Sequence, residues 1–115
     1  MANEKKPNDW FSIHIMAKNS IDDETENYFI KFFEIIINNY PCSICRSHAK
    51  EYYQLHPLSK WKGWMDKEGR RVGMFFWTWK FHNTVNARLG YPLMNYQTAW
   101  ELYESIHSCD VVCGK

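Results

Sequence analysis

The feature that most constrains the fold is a run of apolar side chains between residues 28 and 40. They recur at intervals of three and four positions, which places them on one face of an α-helix. The residues concerned are Tyr28, Phe29, Phe32, Phe33, Ile36, Ile37 and Tyr40. Ser20 and Asp23 offer N-cap chemistry before this helix, and Pro41 ends it because proline disfavours helical geometry in the preceding residue. The segment therefore predicts an amphipathic helix with one face in a core.

Four further helices are predicted, and no segment makes a convincing strand. They cover about residues 10–18, 42–54 and 72–89, and the last runs from Asn95 towards Cys109. Gly90 is the predicted C-cap of the fourth helix, and a polar loop at 58–71 precedes that helix. Helices of this length with short joints pack as an antiparallel bundle. A chain of 115 residues then forms one all-α domain, with a core at about 10–108 and a tail at 109–115.

Charge and hydropathy exclude several classes of protein. The net charge is +1, so no global field indicates nucleic acid or an anionic membrane as a partner. No apolar run reaches the ~18 residues that a membrane span needs, and the N-terminus lacks the apolar stretch of a secretory signal. We therefore predict that the protein is intracellular. Stable disulfides are uncommon inside cells. Four cysteines in such a chain favour metal binding or catalysis.

The cysteine motif Pro41-Cys42-Ser43-Ile44-Cys45 opens the third helix. A thiolate is the reactive form, and a helix N-terminus or this spacing lowers a cysteine pKa from its reference value of ~8.5. A thioredoxin-like site also uses the motif, but there a strand precedes it. A zinc-binding helical interaction module could use Cys42 and Cys45 with Cys109 and Cys113, or with His48. A dithiol that exchanges electrons with a flavin is the third hypothesis, and a purely structural bundle would use none of these thiols.

A second motif lies in the fourth helix. His82 and Asn86 are four residues apart and share a face, and Asn83 lies beside it. Two asparagines in mid-helix are unexpected unless they bind something or face solvent, because asparagine competes for backbone hydrogen bonds. A lone histidine on such a face is more often a core residue. With Arg88 nearby and two tryptophans preceding, however, the group favours a planar polar ligand such as an adenine or a ribose.

Together these motifs resemble the Erv/ALR family of FAD-linked sulfhydryl oxidases. Three blocks carry the likeness, in the family's order, and they extend from about Trp10 to Trp100. The first is Trp10-Phe11-Ser12-Ile13-His14-Ile15-Met16-Ala17, the second is Pro41-Cys42-Ser43-Ile44-Cys45, and the third is His82-Asn83-Thr84-Val85-Asn86-Ala87-Arg88-Leu89-Gly90. In its compact size and its lack of targeting signals the chain resembles the viral branch of the family. This resemblance implies a location in the host cytoplasm or in the virion.

The resemblance implies a four-helix bundle with a short fifth helix, FAD at the mouth of the bundle, and a homodimer. It implies oxidation of protein thiols to disulfides, with electrons passing through a CxxC disulfide and FAD to molecular oxygen to give hydrogen peroxide. Cys42 would react with the substrate thiol, and Cys45 would face the flavin. The resemblance implies these cofactor-binding residues: Trp10, His14, Cys45, His82, Asn83, Asn86, Arg88, Leu89, Tyr91 and Trp100.

Several positions depart from the family pattern. Tyr91 stands where a lysine often lies near the diphosphate, so Arg88 or the basic stretch 60–71 is the expected substitute. Residues 18–20 lack an expected tyrosine, and Tyr96 stands where a structural disulfide would begin. Cys109 and Cys113 are expected to be a shuttle pair that relays electrons to the CxxC site, free thiols, or a staple at the chain end.

Overall fold

The computed structural model describes residues 6–104, with the side chains of residues 10–104. Its helices are α1 (Lys6–Lys18), α2 (Asp23–Asn39), α3 (Ser43–Leu55), α4 (Gly73–Leu89) and α5 (Tyr96–Glu104), with a 3₁₀ helix at Leu58–Trp61 inside the predicted loop. The all-α prediction is confirmed, since the one β-type pairing in the described residues is an isolated bridge between Met65 and Arg71. α1 begins at Lys6 rather than at Trp10, because Pro7 is tolerated in the first turn of a helix.

The cap of α2 differs from the prediction. Asp22 is the N-cap: its Oδ1 accepts the Thr25 N–H at 2.9 Å, and Thr25 Oγ1 accepts the Asp22 N–H at 3.1 Å. Ser20 lies two residues after α1, and its hydroxyl donates to the Met16 carbonyl in the last turn of that helix at 2.9 Å. Asp23 is already inside α2. The reciprocal Asp22–Thr25 pair therefore decides where α2 begins.

The apolar face of α2 is narrower than the sequence predicts. Phe29, Phe33 and Ile37 are buried and follow each other at intervals of four, whereas Tyr28 is 64% exposed. Tyr28 lies about 100° around the helix from Phe29, beyond the arc that the other helices cover. Phe33 contacts the ring of Trp77 with centroids 5.0 Å apart, so α2 packs directly on α4.

The helices pack as a bundle with α4 at its centre. α1 lies along α4, α2 packs on α3 and α1, and the short α5 contacts α1 and α4. Met74, Phe75 and Trp77 of α4 are almost completely buried. α4 ends at Gly90, whose φ of 80° is the left-handed conformation of a C-cap, as predicted. No helix among residues 6–104 combines the length and the apolar character that crossing a bilayer requires.

The segment between α3 and α4 is tied to α2 through Glu26. This carboxylate is fully buried, and its Oε1 accepts the Gly63 N–H at 3.0 Å and a guanidinium N–H of Arg71 at 3.1 Å. Arg71 also bonds Asp23 at 2.8 Å, and Arg70 bonds Asp66 at 2.7 Å. Both arginines of the basic stretch 60–71 are thus paired with acidic side chains of the chain itself.

Candidate active site

Cys42 and Cys45 form a disulfide at the start of α3, with Cα atoms 5.2 Å apart. Cys42 is the N-cap of α3, and its Sγ accepts the Cys45 N–H at 3.1 Å. Both residues are half-buried. The guanidinium of Arg46 donates to the Tyr40 carbonyl, which joins the start of α3 to the end of α2. Once the disulfide is reduced, the amide and the positive end of the helix favour a thiolate at Cys42.

The position of the disulfide follows from the antiparallel register of α3 and α4. Trp77 donates its indole N–H to the His56 carbonyl at 2.6 Å, and one α3 turn earlier Tyr52 contacts the ring of Phe81 at 5.1 Å. Earlier residues of α3 therefore meet later residues of α4. Cys45 precedes Tyr52 by two turns, so the register carries it towards the C-terminal end of α4.

Three of the predicted cofactor residues meet where α1 crosses α4. The rings of Trp10 and His82 stack with centroids 3.8 Å apart and planes 4° apart. His14 Nε2 lies 2.9 Å from His82 Nδ1, and His14 Nδ1 lies 3.1 Å from Thr78 Oγ1. Sequence reasoning missed Thr78, although it precedes His82 by four residues and therefore shares its face of α4.

Both histidines of this cluster are held neutral. Burial, and secondarily the neighbouring His82, lowers the pKa of His14 to about 3. Burial likewise lowers the pKa of His82 to about 4. The cause is the loss of water around an imidazolium, which penalises the charged form. Near neutral pH the pair therefore presents uncharged rings that accept and donate hydrogen bonds.

The last turn of α4 presents polar and apolar side chains to solvent. Arg88, Leu89 and Tyr91 are exposed, and Arg88 forms no ion pair with the residues that the structure describes. Asn86 is half-buried, and its side-chain amide has no hydrogen bond within the described residues. The Asn86 carbonyl accepts the Tyr91 N–H at 2.8 Å, which turns the chain away from the helix. The Asn86 amide and the Arg88 guanidinium, which have no partner among the described residues, are groups that could hold the polar parts of a nucleotide cofactor.

Asn83 makes its hydrogen bonds within the chain. Its Nδ2 donates to the Met94 carbonyl and its Oδ1 accepts the Met94 N–H, both at 2.9 Å. Trp79 adds a third bond from its indole N–H to the same carbonyl at 2.6 Å. The pair of bonds latches the segment between α4 and α5 onto α4. Sequence reasoning assigned Asn83 to the cofactor and missed this latch, because Met94 is apolar and acts here through its backbone.

Trp100 belongs to α5 and packs against a different part of α4 from the Trp10–His82 stack. It is buried and packs edge-on against Phe75 with centroids 5.3 Å apart. Lys18 Nζ lies 4.3 Å and Arg70 Cζ 4.8 Å from the centre of its ring. Phe75 precedes His82 by about two turns of α4, a rise of about 10 Å. Trp100 is therefore outside the Trp10–His14–His82 cluster, and Phe75 lies between its ring and that of His14.

The metal hypothesis finds no ligand set in residues 6–104. No group of three or more histidine, cysteine or acidic side chains there could hold an ion. Cys42 and Cys45 are joined to each other, so neither sulfur is a thiolate ligand. Cys109 and Cys113, which the shuttle hypothesis and one form of the zinc hypothesis use, lie outside the described residues.

The chain is similar to known proteins in both sequence and fold. Residues 7–104 match the model of the Erv1 / Alr family. The chain is 29% identical over 103 residues to a protein named FAD-linked sulfhydryl oxidase from a Kenyan isolate of African swine fever virus, covering 85% of this chain and 78% of the relative. A relative of the same name from a Malawian isolate of that virus is also 29% identical, over 101 residues. The crystal structure of the yeast Erv1 core shares the fold, with a TM-score of 0.72, 18% identity, and coverage of 90% of this chain and 83% of that chain.

Proposed function

The chain belongs to the Erv1 / Alr family, and from this premise we infer that it is an FAD-dependent sulfhydryl oxidase that forms disulfides in protein thiols. The observation that carries the inference is the Cys42–Cys45 disulfide at the N-terminus of α3. A disulfide in this place accepts two electrons from a pair of substrate thiols. The zinc alternative is not favoured by any observation on the described residues.

The disulfide exchange proceeds in two steps on this chain. A substrate thiolate attacks Cys42 Sγ, a mixed disulfide forms, and Cys45 leaves as a thiolate. A second substrate thiolate then attacks the substrate sulfur of the mixed disulfide and releases Cys42 as a thiolate. The Cys45 N–H, 3.1 Å from Cys42 Sγ in the oxidised pair, stabilises this second leaving group. The substrate is oxidised to a disulfide, and the cysteine pair holds two electrons.

FAD, when bound, supplies the acceptor for these electrons and passes them to molecular oxygen as hydrogen peroxide. The chain's own residues bind and orient it. Trp10 and His82 offer flat aromatic surfaces, and Asn86 offers an unpaired amide to the nucleotide. Arg88 is the better candidate for the diphosphate, because Arg70 and Arg71 are already paired with acids. The proposed cofactor residues are Trp10, His14, Cys45, His82, Asn83, Asn86, Arg88, Leu89, Tyr91 and Trp100.

We also propose the finer features of the assembly. A homodimer is supported by exposed apolar side chains on α1 and α2, among them Met16, Tyr28 and Ile35. Because the relatives named above are viral, we propose a viral origin and action inside the host cell or the virion. For Cys109 and Cys113 the three alternatives stay open: a shuttle pair, free thiols or a staple at the chain end.

A visible absorption spectrum of the purified protein, recorded before and after adding dithiothreitol in air, tests the function. We expect a flavin band that bleaches and then recovers while hydrogen peroxide accumulates. Heat-denatured protein releases its flavin and is the control for non-covalent binding. Folded protein that neither carries nor takes up FAD would contradict the proposal, and a metal assay would then test the zinc alternative.

A further inference from the structure

A chain of hydrogen bonds begins at a backbone carbonyl beneath His14. The Thr78 hydroxyl donates to the Phe75 carbonyl at 2.9 Å. A carbonyl oxygen only accepts, so this bond uses the one proton that a hydroxyl has. Thr78 Oγ1 also lies 3.1 Å from His14 Nδ1, where it acts as the acceptor as long as its own proton is directed at the Phe75 carbonyl. His14 consequently carries its proton on Nδ1.

The protonation of His14 determines which ring nitrogen of His82 carries a proton. A neutral imidazole has one proton, so His14 Nε2 is an acceptor once Nδ1 is protonated. His82 Nδ1 lies 2.9 Å from that atom and must donate to it. His82 Nε2 is then the unprotonated nitrogen, and it has no hydrogen bond with the residues that the structure describes. The Thr78 hydroxyl proton and the Nδ1 protons of His14 and His82 are thus each used in one hydrogen bond. His82 Nε2 is left as a free acceptor on the ring that stacks with Trp10, among the residues that the structure describes.

We propose that Thr78 is a positioning residue which acts through His14 to hold His82 in its Nδ1-protonated form, so that Nε2 accepts a hydrogen bond from a hydroxyl or amino group of bound FAD. The inference rests on the proposed function and adds to it a residue outside the recognised motifs. Thr78 is fully buried, so it reaches the ligand only through the two histidines.

The surroundings keep both rings neutral, which the proton order requires. The pKa of His14 is about 3 and that of His82 about 4, in each case mainly through burial. Besides His82, the ring of one titratable side chain contacts His14 among the described residues: Tyr103, with ring centroids 5.1 Å apart. Burial raises the pKa of Tyr103. The remaining ring contacts of the pair are with Trp10 and Phe75. No charged group in these contacts supplies a second proton.

Removing the Thr78 hydroxyl should move the protons of both histidines from Nδ1 to Nε2. In Thr78→Val, a proton on His14 Nδ1 would face a methyl group and lose its acceptor, which is costly for a buried donor. His14 would then carry its proton on Nε2 and donate to His82 Nδ1. His82 would hold its proton on Nε2 and would present a donor where the wild type presents an acceptor.

The test is ¹⁵N NMR of histidine-labelled holoprotein, which distinguishes protonated from unprotonated ring nitrogens. We expect His82 Nε2 to be unprotonated in the wild type and in Thr78→Ser, which keeps the hydroxyl, and protonated in Thr78→Val. We expect Thr78→Val to weaken FAD binding about tenfold, measured by titration of the ligand-free protein. Thr84→Val is the matched control, since its exposed hydroxyl donates to the Lys80 carbonyl of the same helix at 3.0 Å.

Two outcomes would overturn the proposal. One is a wild type that binds FAD and oxidises dithiothreitol but carries the His82 proton on Nε2. The other is a Thr78→Val protein whose His82 tautomer and FAD affinity match those of the wild type. If Thr78→Val does not fold, a proton on His82 Nε2 in the wild type or in Thr78→Ser still overturns the proposal. A folded protein that binds no FAD contradicts the proposed function instead, whatever its tautomer.

Discussion

Among single residues, Cys42 combines a structural and a chemical role. As the N-cap of α3 its sulfur accepts a backbone N–H, and in the proposed mechanism the same contact stabilises the thiolate that leaves in disulfide exchange. Cys45 lies one turn further into the helix and donates that N–H. The two sulfurs therefore sit in different electrostatic surroundings, although only two residues separate them.

Replacing Cys45 by serine should abolish turnover and leave FAD bound. Cys42 alone is a free thiol, so the intramolecular disulfide that accepts electrons from the substrate and passes them on cannot form. We expect oxygen consumption with dithiothreitol to fall on the order of 10³-fold or more, and the flavin band to persist. Ser43→Ala, at an exposed position between the two cysteines, is the control. A Cys45→Ser protein that oxidises dithiothreitol at the wild-type rate would refute the assignment.

The two buried histidines should make stability depend on pH. Their folded-state pKa values, about 3 and about 4, lie below the ordinary value of 6.5, so the unfolded chain binds more protons as the pH falls. Their contribution to stability is complete above about pH 6.5 and declines below it. Urea unfolding should show a loss of about 1 to 3 kcal/mol per pH unit between about pH 6 and pH 4.

Substitution of one histidine tests the cause of this slope. His82→Gln removes one of the two groups, so its unfolding free energy should fall less steeply over the same range. His48→Gln, on the exposed face of α3, should leave the slope as in the wild type. Equal slopes in all three proteins would show that other groups control the acid sensitivity.

Among the secondary-structure elements, α4 organises the molecule at both of its ends. Its first residue, Gly73, permits a close approach, because a Cβ there would lie 2.0 Å from the Trp61 carbonyl oxygen. Near its end, Asn83 holds the backbone of Met94 and so fixes the course of the chain into α5. The 3₁₀ helix and the segment before α5 are thereby both docked on α4.

Gly73→Ala should destabilise the fold by overpacking. The clash is with backbone, so the 3₁₀ helix must shift, and we expect a loss of about 3 kcal/mol in the free energy of unfolding. Gly69→Ala is the comparison, since Gly69 has a φ of +81° but nothing within 4 Å of its Cβ position. Only backbone strain applies there, about 1 to 2 kcal/mol. Equal losses in the two variants would refute the close-approach explanation.

Asn83→Ala should release the segment before α5. The Met94 N–H loses its acceptor, and we expect its hydrogen exchange to accelerate about fivefold to thirtyfold, as the loss of about 1 to 2 kcal/mol implies. Asn86→Ala, which leaves the latch intact, is the control. If Asn83→Ala instead abolishes FAD binding without changing exchange at Met94, Asn83 acts on the cofactor rather than on the latch.

For the protein as a whole, the outer faces of α1 and α2 carry exposed apolar side chains among their polar ones. Tyr28 is 64% and Ile35 is 62% exposed, and both lie on α2. A groove of about 480 Å³ on the same helix includes Tyr28 and Ile30 among its lining residues. A second subunit would remove this surface from water, which is the physical argument for the proposed dimer.

Ile35→Glu should weaken such a dimer. A carboxylate in the interface would have to be desolvated, so we expect the dimer dissociation constant to rise at least about tenfold. Light scattering with size-exclusion chromatography gives the mass as a function of concentration. Leu55→Glu is the matched control, because Leu55 is 68% exposed but lies at the end of α3. A dimer of unchanged strength in Ile35→Glu would place the interface elsewhere.

The sequence was sufficient for features that depend on neighbouring residues. The helical period of residues 28–40, the stop at Pro41, the cap at Gly90 and the CxxC at the start of α3 are all local, so the all-α class and the redox pair followed from them. Order along the chain also indicated the family, because its three blocks of motif residues occur in sequence.

Contacts between distant residues were decided by the fold. The hydrogen bonds of His14 join α1 to Thr78 and His82 of α4, more than sixty positions away in the chain. Asn83 bonds the backbone of Met94, and a backbone contact cannot be predicted from the type of residue at that position. Tyr28 was wrongly placed in the core because a helical pattern shows which residues share a face but not how wide an arc the neighbouring helices cover. The protonation of the histidines, the Asn83–Met94 hydrogen bonds and the width of the buried face of α2 all depend on how the helices pack. This packing is fixed only when all the helices are in place.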